Sequence, residues 1–433
     1  MLSIKHDSVS LSIKDKVITA LIFLYWMSYE NVFFFNAGQV GSVFLILVNI
    51  IKLFLPFMLL WLSGMNTAFL SKGITSLYGF FFILFIFWLG FVTIAFGDGF
   101  EWIKLLPRVV FFYSVLNFVY KKPIIFDLYA KFVIVYVLFA LFQYCLTYLT
   151  RSTMIIVQIW GVPTAGLGGF YSNTGSAMYV PGLSGRVLRL VGFWNEPSNA
   201  SGSAFAAGFL GFYLRGCGYK ILKGVPILCF LAGFLALSNA GYLAFALGLM
   251  VYILFTKRRG AINKLKKFLM LAIPLSVLLI AVLGRVYVLE NNIENTFINS
   301  ILGVRDLGRD NPFAGRDKIF FSVLDFILDN PLGRGLFVAD RAAGTFENLS
   351  AQAPIYWLYI GGIIGIILLG LREVCLVIAA IAVIKVNQPT IYLFSALAAV
   401  MGQHMVYGSW MNPNYFILAA TILAFNAKSK LTS

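Results

Sequence analysis

The sequence predicts an all-α integral membrane protein with about twelve transmembrane helices. Three observations carry that prediction. Only 12% of the 433 residues are charged, against about 25% in soluble domains, and 60% are hydrophobic. Long runs lack charge almost entirely: Ile74–Phe96 has none in 23 positions, and Val40–Leu62 has only Lys52. The basic residues concentrate in alternate loops, as membrane orientation requires.

An apolar run of this length matches a hydrocarbon core of roughly 30 Å at ~1.5 Å per residue. With no water to bond its backbone, such a run must be helical. Spans are read at about 17–36, 40–62, 74–96, 103–120, 131–150, 197–214, 221–237, 239–256, 268–284, 360–384, 390–407 and 412–427. The first, Val17–Asn36, is too long for the apolar core of a secretory signal. It also lacks a small-residue cleavage site, so it is read as a retained span. Residues 354–384 admit two readings. They form either two short spans divided by Arg372-Glu373, or one span preceded by an interfacial helix over about 348–360. The second is preferred, because it keeps Lys428 and Lys430 on the basic side. Cys145, Cys217, Cys229 and Cys375 lie in or beside apolar runs and are expected to be packing residues without disulfides.

Charge then sets the orientation. An even number of spans puts both ends on one side. With both termini cytoplasmic, the cytoplasmic segments hold 19 Lys and Arg against three acids, Asp7, Asp15 and Asp127. The formal charge of +16 is therefore a cytoplasmic surplus and does not indicate nucleic-acid binding. The whole chain, 1–433, reads as a single polytopic membrane domain.

Two long segments fall on the outer face, 151–196 and 285–353, and both are expected to contain short helices. Loops of this length are commonly functional. Within the second, Ile319, Phe320, Val323, Leu324 and Ile327 share one face of a predicted amphipathic helix over 316–330, with Asp325 and Asp329 opposite and Pro331 as its stop. Arg316 projects onto the centre of the apolar face. An arginine there calls for an anionic partner such as phosphate. The plainer alternative is a side chain that snorkels to lipid headgroups. The first loop carries Arg186 and Arg189 and ends in Glu196-Pro197-Ser198, where Pro197 fits a helix start and Glu196 would lie beside its positive end. The helix that follows is rich in Ala, Gly and Ser, which permits close packing in a membrane. The plainer reading of this stretch is a helix cap with two headgroup-binding arginines.

The pattern Arg189-x-x-Gly192-Phe193-x-x-Glu196-Pro197-Ser198, opening a span, resembles the O-antigen polymerase and ligase superfamily. So do Gly315-Arg316-x-x-x-Phe320, Ile327-x-x-Asn330-Pro331-Leu332-Gly333-x-Gly335 and the stretch Trp357–Gly365. The likeness covers roughly residues 186–370. It implies a glycosyltransferase C-like fold in a bacterial inner membrane, with the active site facing the periplasm. It also implies undecaprenyl-pyrophosphate-linked oligosaccharides as donor and acceptor, and a chain-length regulator protein as a partner. Ligases of the superfamily carry a histidine in the large loop. Residues 285–353 contain none, and Thr345-Phe346-Glu347-Asn348 stands at its place, which favours a polymerase over a ligase.

Glycosyl transfer from a pyrophosphate needs the leaving charge stabilised and an acceptor hydroxyl deprotonated. No Asp-x-Asp and no metal-spaced His, Cys and Asp cluster occurs, so the chemistry is expected to be metal-independent and to need no cofactor. Arg189 and Arg316 are the leading electrophiles. Arg186, Arg305, Arg309, Arg334 and Arg341 are further substrate-binding candidates. Glu196 is the first candidate base, with Glu30, Asp98 and His404 as rivals; a lone histidine in a span is more often a packing residue. Lys52, Arg108 and the pair Arg372-Glu373 enter spans, where a charge costs at least ~2.5–3.5 kcal/mol and normally faces a protein interior or cavity. Lys52 and Arg108 are read as groove residues for the pyrophosphate lipid; internal pairing, for instance Lys52 with Glu30, is the alternative. A transporter of lipid-linked sugar is the third functional class. It is disfavoured because no internal repeat is visible.

Overall fold

The computed structural model describes residues 12–29, 42–64, 73–97, 102–103, 105–150, 179–182, 185–188, 190, 197–256, 323–336, 353–406 and 412–429. The longer elements are α1 (Ile13–Tyr29), α2 (Ser42–Ser63), α3 (Gly73–Phe96), α4 (Leu106–Lys121), α5 (Ile124–Thr150), α6 (Pro197–Gly216), α7 (Gly224–Leu235), α8 (Asn239–Phe255), α9 (Ala353–Val386), α10 (Thr390–Val406) and α11 (Pro413–Ser429). The predicted span over 268–284 lies outside the described residues.

The chain is a helical protein in which Gly73–Phe96, Ile124–Leu146 and Ile355–Val386 are long and apolar enough to cross a membrane. α3 shows why. Tyr78, Phe82, Phe85, Ile86 and Leu89 are buried, while Leu77, Phe80, Phe87, Phe91 and Ile94 stand exposed on the other side. A soluble helix would carry polar residues on that outer face. An outer face of Phe, Leu and Ile is at home only in an apolar solvent.

The prediction departs from the structure at the start of α5. α5 begins at Ile124, seven residues before the expected 131, because Ile124, Ile125 and Phe126 continue the apolar run behind Pro123. Lys131 therefore sits inside a helix, its ammonium 3.9 Å from the Tyr219 ring centroid. Within the described part of loop 151–196, β1 (Tyr179–Gly182) pairs antiparallel with β2 (Gly185–Leu188), a strand pair outside the sequence expectation. Tyr, Val and Pro here favour extended backbone over helix. In the other loop the helix is described only over 323–329. There Val323 and Ile327 are buried while Asp325 and Asp329 are exposed, as the periodicity requires.

Around 354–384, α9 runs without interruption past Arg372-Glu373, so the reading with two short spans fails there. The helix is broken instead at Gly362 (φ 65°, ψ −165°), near the boundary expected between an interfacial helix and a span.

α11 lies at the centre, every side chain from Pro413 to Ala427 buried. It packs on α4, α9 and α10. α6 forms a second hub against α5, α7, α8 and α10. Its small residues sit at the contacts: Gly202 lies against Gln403, Gly208 against Phe230 and Gly211 against Pro226. Helices without a hydrophobic force between them gain from such close approach.

Candidate functional site

The break in α9 is occupied by another part of the chain. Residues 331–336 form a strap across it. Arg334 N donates to Tyr359 O at 3.0 Å, Gly335 N to Ile360 O at 2.9 Å, and Ile363 N to Pro331 O at 3.0 Å. Trp88 of α3 donates from its indole to Gly361 O at 2.7 Å. Backbone groups released by a broken helix in an apolar setting must be satisfied by protein. The strap and Trp88 do that. Its far end is tied to α3, where Leu336 N donates to the Thr93 hydroxyl at 3.0 Å.

The glycines of the strap are sterically required. Gly333 and Gly335 have φ of 87° and 78°. A Cβ at Gly335 would lie 2.6 Å from Thr93 Cα, and one at Gly333 would lie 2.8 Å from Ile360 O. Between them Arg334 is exposed, and its Nη1 donates to the Tyr359 hydroxyl at 3.4 Å.

A second group forms where α6 begins and α10 ends. Gln403 Nε2 donates to Asn199 Oδ1 at 2.8 Å. Gln403 and His404 are each 1% exposed, and among the described residues neither Gln403 Oε1 nor His404 Nδ1 meets a hydrogen-bond partner. Ser203 Oγ, on the same stretch of α6, is also buried without one. Polar atoms in this state are uncommon in folded proteins and need a reason.

The third group is cationic. Lys52 on α2 and Arg108 on α4 lie near enough for Lys52 to feel the arginine's charge. Both are half-buried.

The fourth is ionic and internal. Arg372 is 0% exposed and donates to Glu373 Oε1 from Nε at 2.9 Å and from a terminal guanidinium nitrogen. The Tyr415 hydroxyl bonds both carboxylate oxygens at 2.7 Å. The rings of Phe82, Tyr415 and Tyr78 surround the guanidinium at 5.2, 5.3 and 5.8 Å. This cluster joins α3, α9 and α11 and serves the fold.

The basic loops hold their own contacts. Lys122 bonds Asp15 at 2.8 Å. Burial would raise the Asp15 carboxyl, but hydrogen bonds from Lys122 and Ser12 and the Lys122 charge hold it below the usual range. Tyr219 donates to Asp127 at 2.8 Å. Burial, then the Asp127 charge, pushes the Cys217 thiol up to about 12, which removes it as a nucleophile. All four cysteines are free thiols.

Of the residues singled out from the sequence, Lys52, Arg108, Arg334 and His404 are described with their side chains, and they fall in three separate groups. Arg186 is placed only as a strand residue of β2, opposite Pro181. Arg189, Glu196, Arg305, Arg309, Arg316, Arg341, Glu30 and Asp98 lie outside the described residues. Sequence reasoning placed Gln403 beside His404 and Tyr359 within the Trp357–Gly365 stretch without their partners, and it missed Thr93 and Asn199, which have no motif of their own. The glycine pairs of the strap and of Gly361-Gly362 were the visible signal for the contacts of Tyr359 and Thr93. Among the described residues, no group of three or more His, Cys, Asp or Glu side chains could hold a metal ion. No family model matches the chain, and no curated protein and no solved structure matches it either.

Proposed function

We propose that the chain is an O-antigen polymerase of the bacterial inner membrane. It has twelve spans, cytoplasmic termini and a glycosyltransferase C-like fold. It joins undecaprenyl-pyrophosphate-linked repeat units at the periplasmic face. The C1–O bond to the donor pyrophosphate breaks, and a new C1–O bond forms to an acceptor hydroxyl. The proton of that hydroxyl passes to Glu196, and undecaprenyl pyrophosphate leaves. Arg189 and Arg316 neutralise the departing charge, and the chemistry needs no metal. A chain-length regulator is the protein partner of such an enzyme.

One observation supports this reading most. Two separate stretches that carry the family likeness, Asn330–Gly335 and Trp357–Gly365, bond to each other directly. Arg334 N and Gly335 N donate to Tyr359 O and Ile360 O. A likeness of composition alone would not require them to meet.

The test is the lipopolysaccharide ladder of a strain lacking the gene, complemented with wild type, Arg189→Ala or Arg316→Ala at matched expression. The polymerase reading expects lipid A core with a single repeat in the null strain and in both variants. Bare core with accumulated long lipid-linked chains would transfer the assignment to a ligase. An unchanged ladder in the arginine variants would remove those residues from the site.

A further inference from the structure

The strap is non-helical, yet its backbone donors are closed one after another. Pro331 has no N–H to satisfy. Gly333 N donates to Asn330 O at 2.9 Å, Arg334 N to Tyr359 O at 3.0 Å and Gly335 N to Ile360 O at 2.9 Å. Leu336 N reaches the Thr93 hydroxyl at 3.0 Å. A loop in water can leave such groups to solvent. Irregular backbone at membrane depth is tolerated only where protein supplies the partners.

The depth follows from α3. At ~1.5 Å per residue, Thr93 lies about 5 Å and Trp88 about 12 Å inside the Phe96 end of that helix. The outer side of α3 is apolar at this level. Phe91 is exposed, and its ring lies 5.7 Å from that of Trp88. The Trp88 indole bonds Gly361 O, Ile363 N bonds Pro331 O, and the Leu332 backbone lies against Gly362. Ile363 is exposed and Leu332 is 38% exposed. The apolar outer surface of α3 therefore continues through the break in α9 and onto the strap. Leu328, on the helix that leads into the strap, is 81% exposed. At about 100° per residue it stands about 60° from Asp325 and about 100° from Asp329, so one exposed flank of that helix is apolar and the next is acidic.

A single exposed leucine on a protein surface is ordinary. Two beside a lipid-facing helix, on a segment whose backbone is closed against an apolar solvent, call for one occupant. We propose that Leu328 and Leu332 contact the acyl chains of the bilayer, and that Asp325 and Asp329 mark its polar boundary. The helix over 323–329 then lies along the membrane surface, and the strap re-enters the membrane beside α3. Arg334, exposed next to Leu332, has the length to carry its guanidinium back to the polar layer. The inference stands on packing and solvent alone and is independent of the polymerase reading.

The test measures depth in the full-length protein in phospholipid nanodiscs. Cys145, Cys217, Cys229 and Cys375, all free thiols, are replaced by serine. A nitroxide is then attached at Leu328→Cys, Leu332→Cys, Asp325→Cys, Asp329→Cys or, as the lipid-facing reference, Phe91→Cys. Oxygen concentrates among acyl chains, and a nickel chelate stays in water. Collisions with oxygen are expected to exceed those with nickel several-fold at 328, 332 and 91, and the order is expected to reverse at 325 and 329. Nickel access at 328 and 332 equal to that at 329 overturns the proposal, because the segment then stands in water. Exclusion of both reagents from 328 and 332 also overturns it, because protein then covers the leucines. A second readout leaves the native cysteines in place. Benzoylphenylalanine at position 328 is expected to give phospholipid adducts on illumination, and at position 329 none; absence of adducts at 328 overturns the proposal equally.

Discussion

Arg372 and Glu373 follow one another in α9 and neutralise each other inside the protein, with the Tyr415 hydroxyl on both carboxylate oxygens. Adjacent residues of a helix point about 100° apart, so the pair meets only because the long side chains turn toward a common partner. That partner is Tyr415 on the central helix. The expected cost of an unbalanced charge follows. Glu373→Ala takes the carboxylate away from the buried Arg372 guanidinium and is expected to cost about 3–5 kcal/mol. The double variant Arg372→Met/Glu373→Met is expected to cost much less. Unfolding midpoints in detergent test this; equal losses in the two would show that the aromatic cage, and not the carboxylate, stabilises the guanidinium.

The broken turn of α9 predicts a glycine requirement. Gly362 is at φ 65°, and a Cβ there would press on the backbone of Pro331 and Leu332. Gly362→Ala is expected to lose at least about 1–2 kcal/mol, the ordinary penalty for a left-handed residue, with the strap displaced in addition. Gly370, farther along the same helix, would have nothing within 4 Å of an added methyl, so Gly370→Ala is expected to be neutral or stabilising by up to about 1 kcal/mol. Protease cleavage near 331–336, faster in the first variant and unchanged in the second, is the corresponding measurement.

Acid sensitivity is expected from Asp15. Its folded carboxyl lies below the ordinary value, so its contribution is present above the unfolded pKa of about 4 and disappears as pH falls through the folded pKa. Lys122 is 49% exposed, which screens the pair and keeps the effect small. Melting curves between about pH 3 and 6 should show a smaller acid-dependent loss in Lys122→Met than in wild type. Identical slopes would rule the pair out as a source.

Gly202 and Gln403 are coupled. A methyl at Gly202 would displace the Gln403 amide that bonds Asn199. Gly202→Ala is expected to cost about 1–3 kcal/mol alone and close to nothing in a Gln403→Ala background. Strict additivity of the two changes would show that the amide moves aside without loss.

Much of the helical layout follows from the sequence alone. Runs of apolar residues too long for a soluble core, separated by basic loops, leave the backbone no alternative to helix. The apolar face of the loop helix, Val323 and Ile327 against Asp325 and Asp329, was equally legible, because it depends on local spacing. The start of α6 at Pro197 belongs to the same class. The tertiary structure decided what no local pattern encodes. It set where the 353–386 segment breaks, since Gly361-Gly362 is a permissive pair that becomes a break only when Pro331–Leu336 supplies the missing backbone partners. It brought Lys52 near Arg108 and joined Gln403 to Asn199 across 204 positions. It also turned Arg372-Glu373 from an apparent interruption of a span into an internal pair, because Tyr415 and the rings of α3 replace the water that the charges lose.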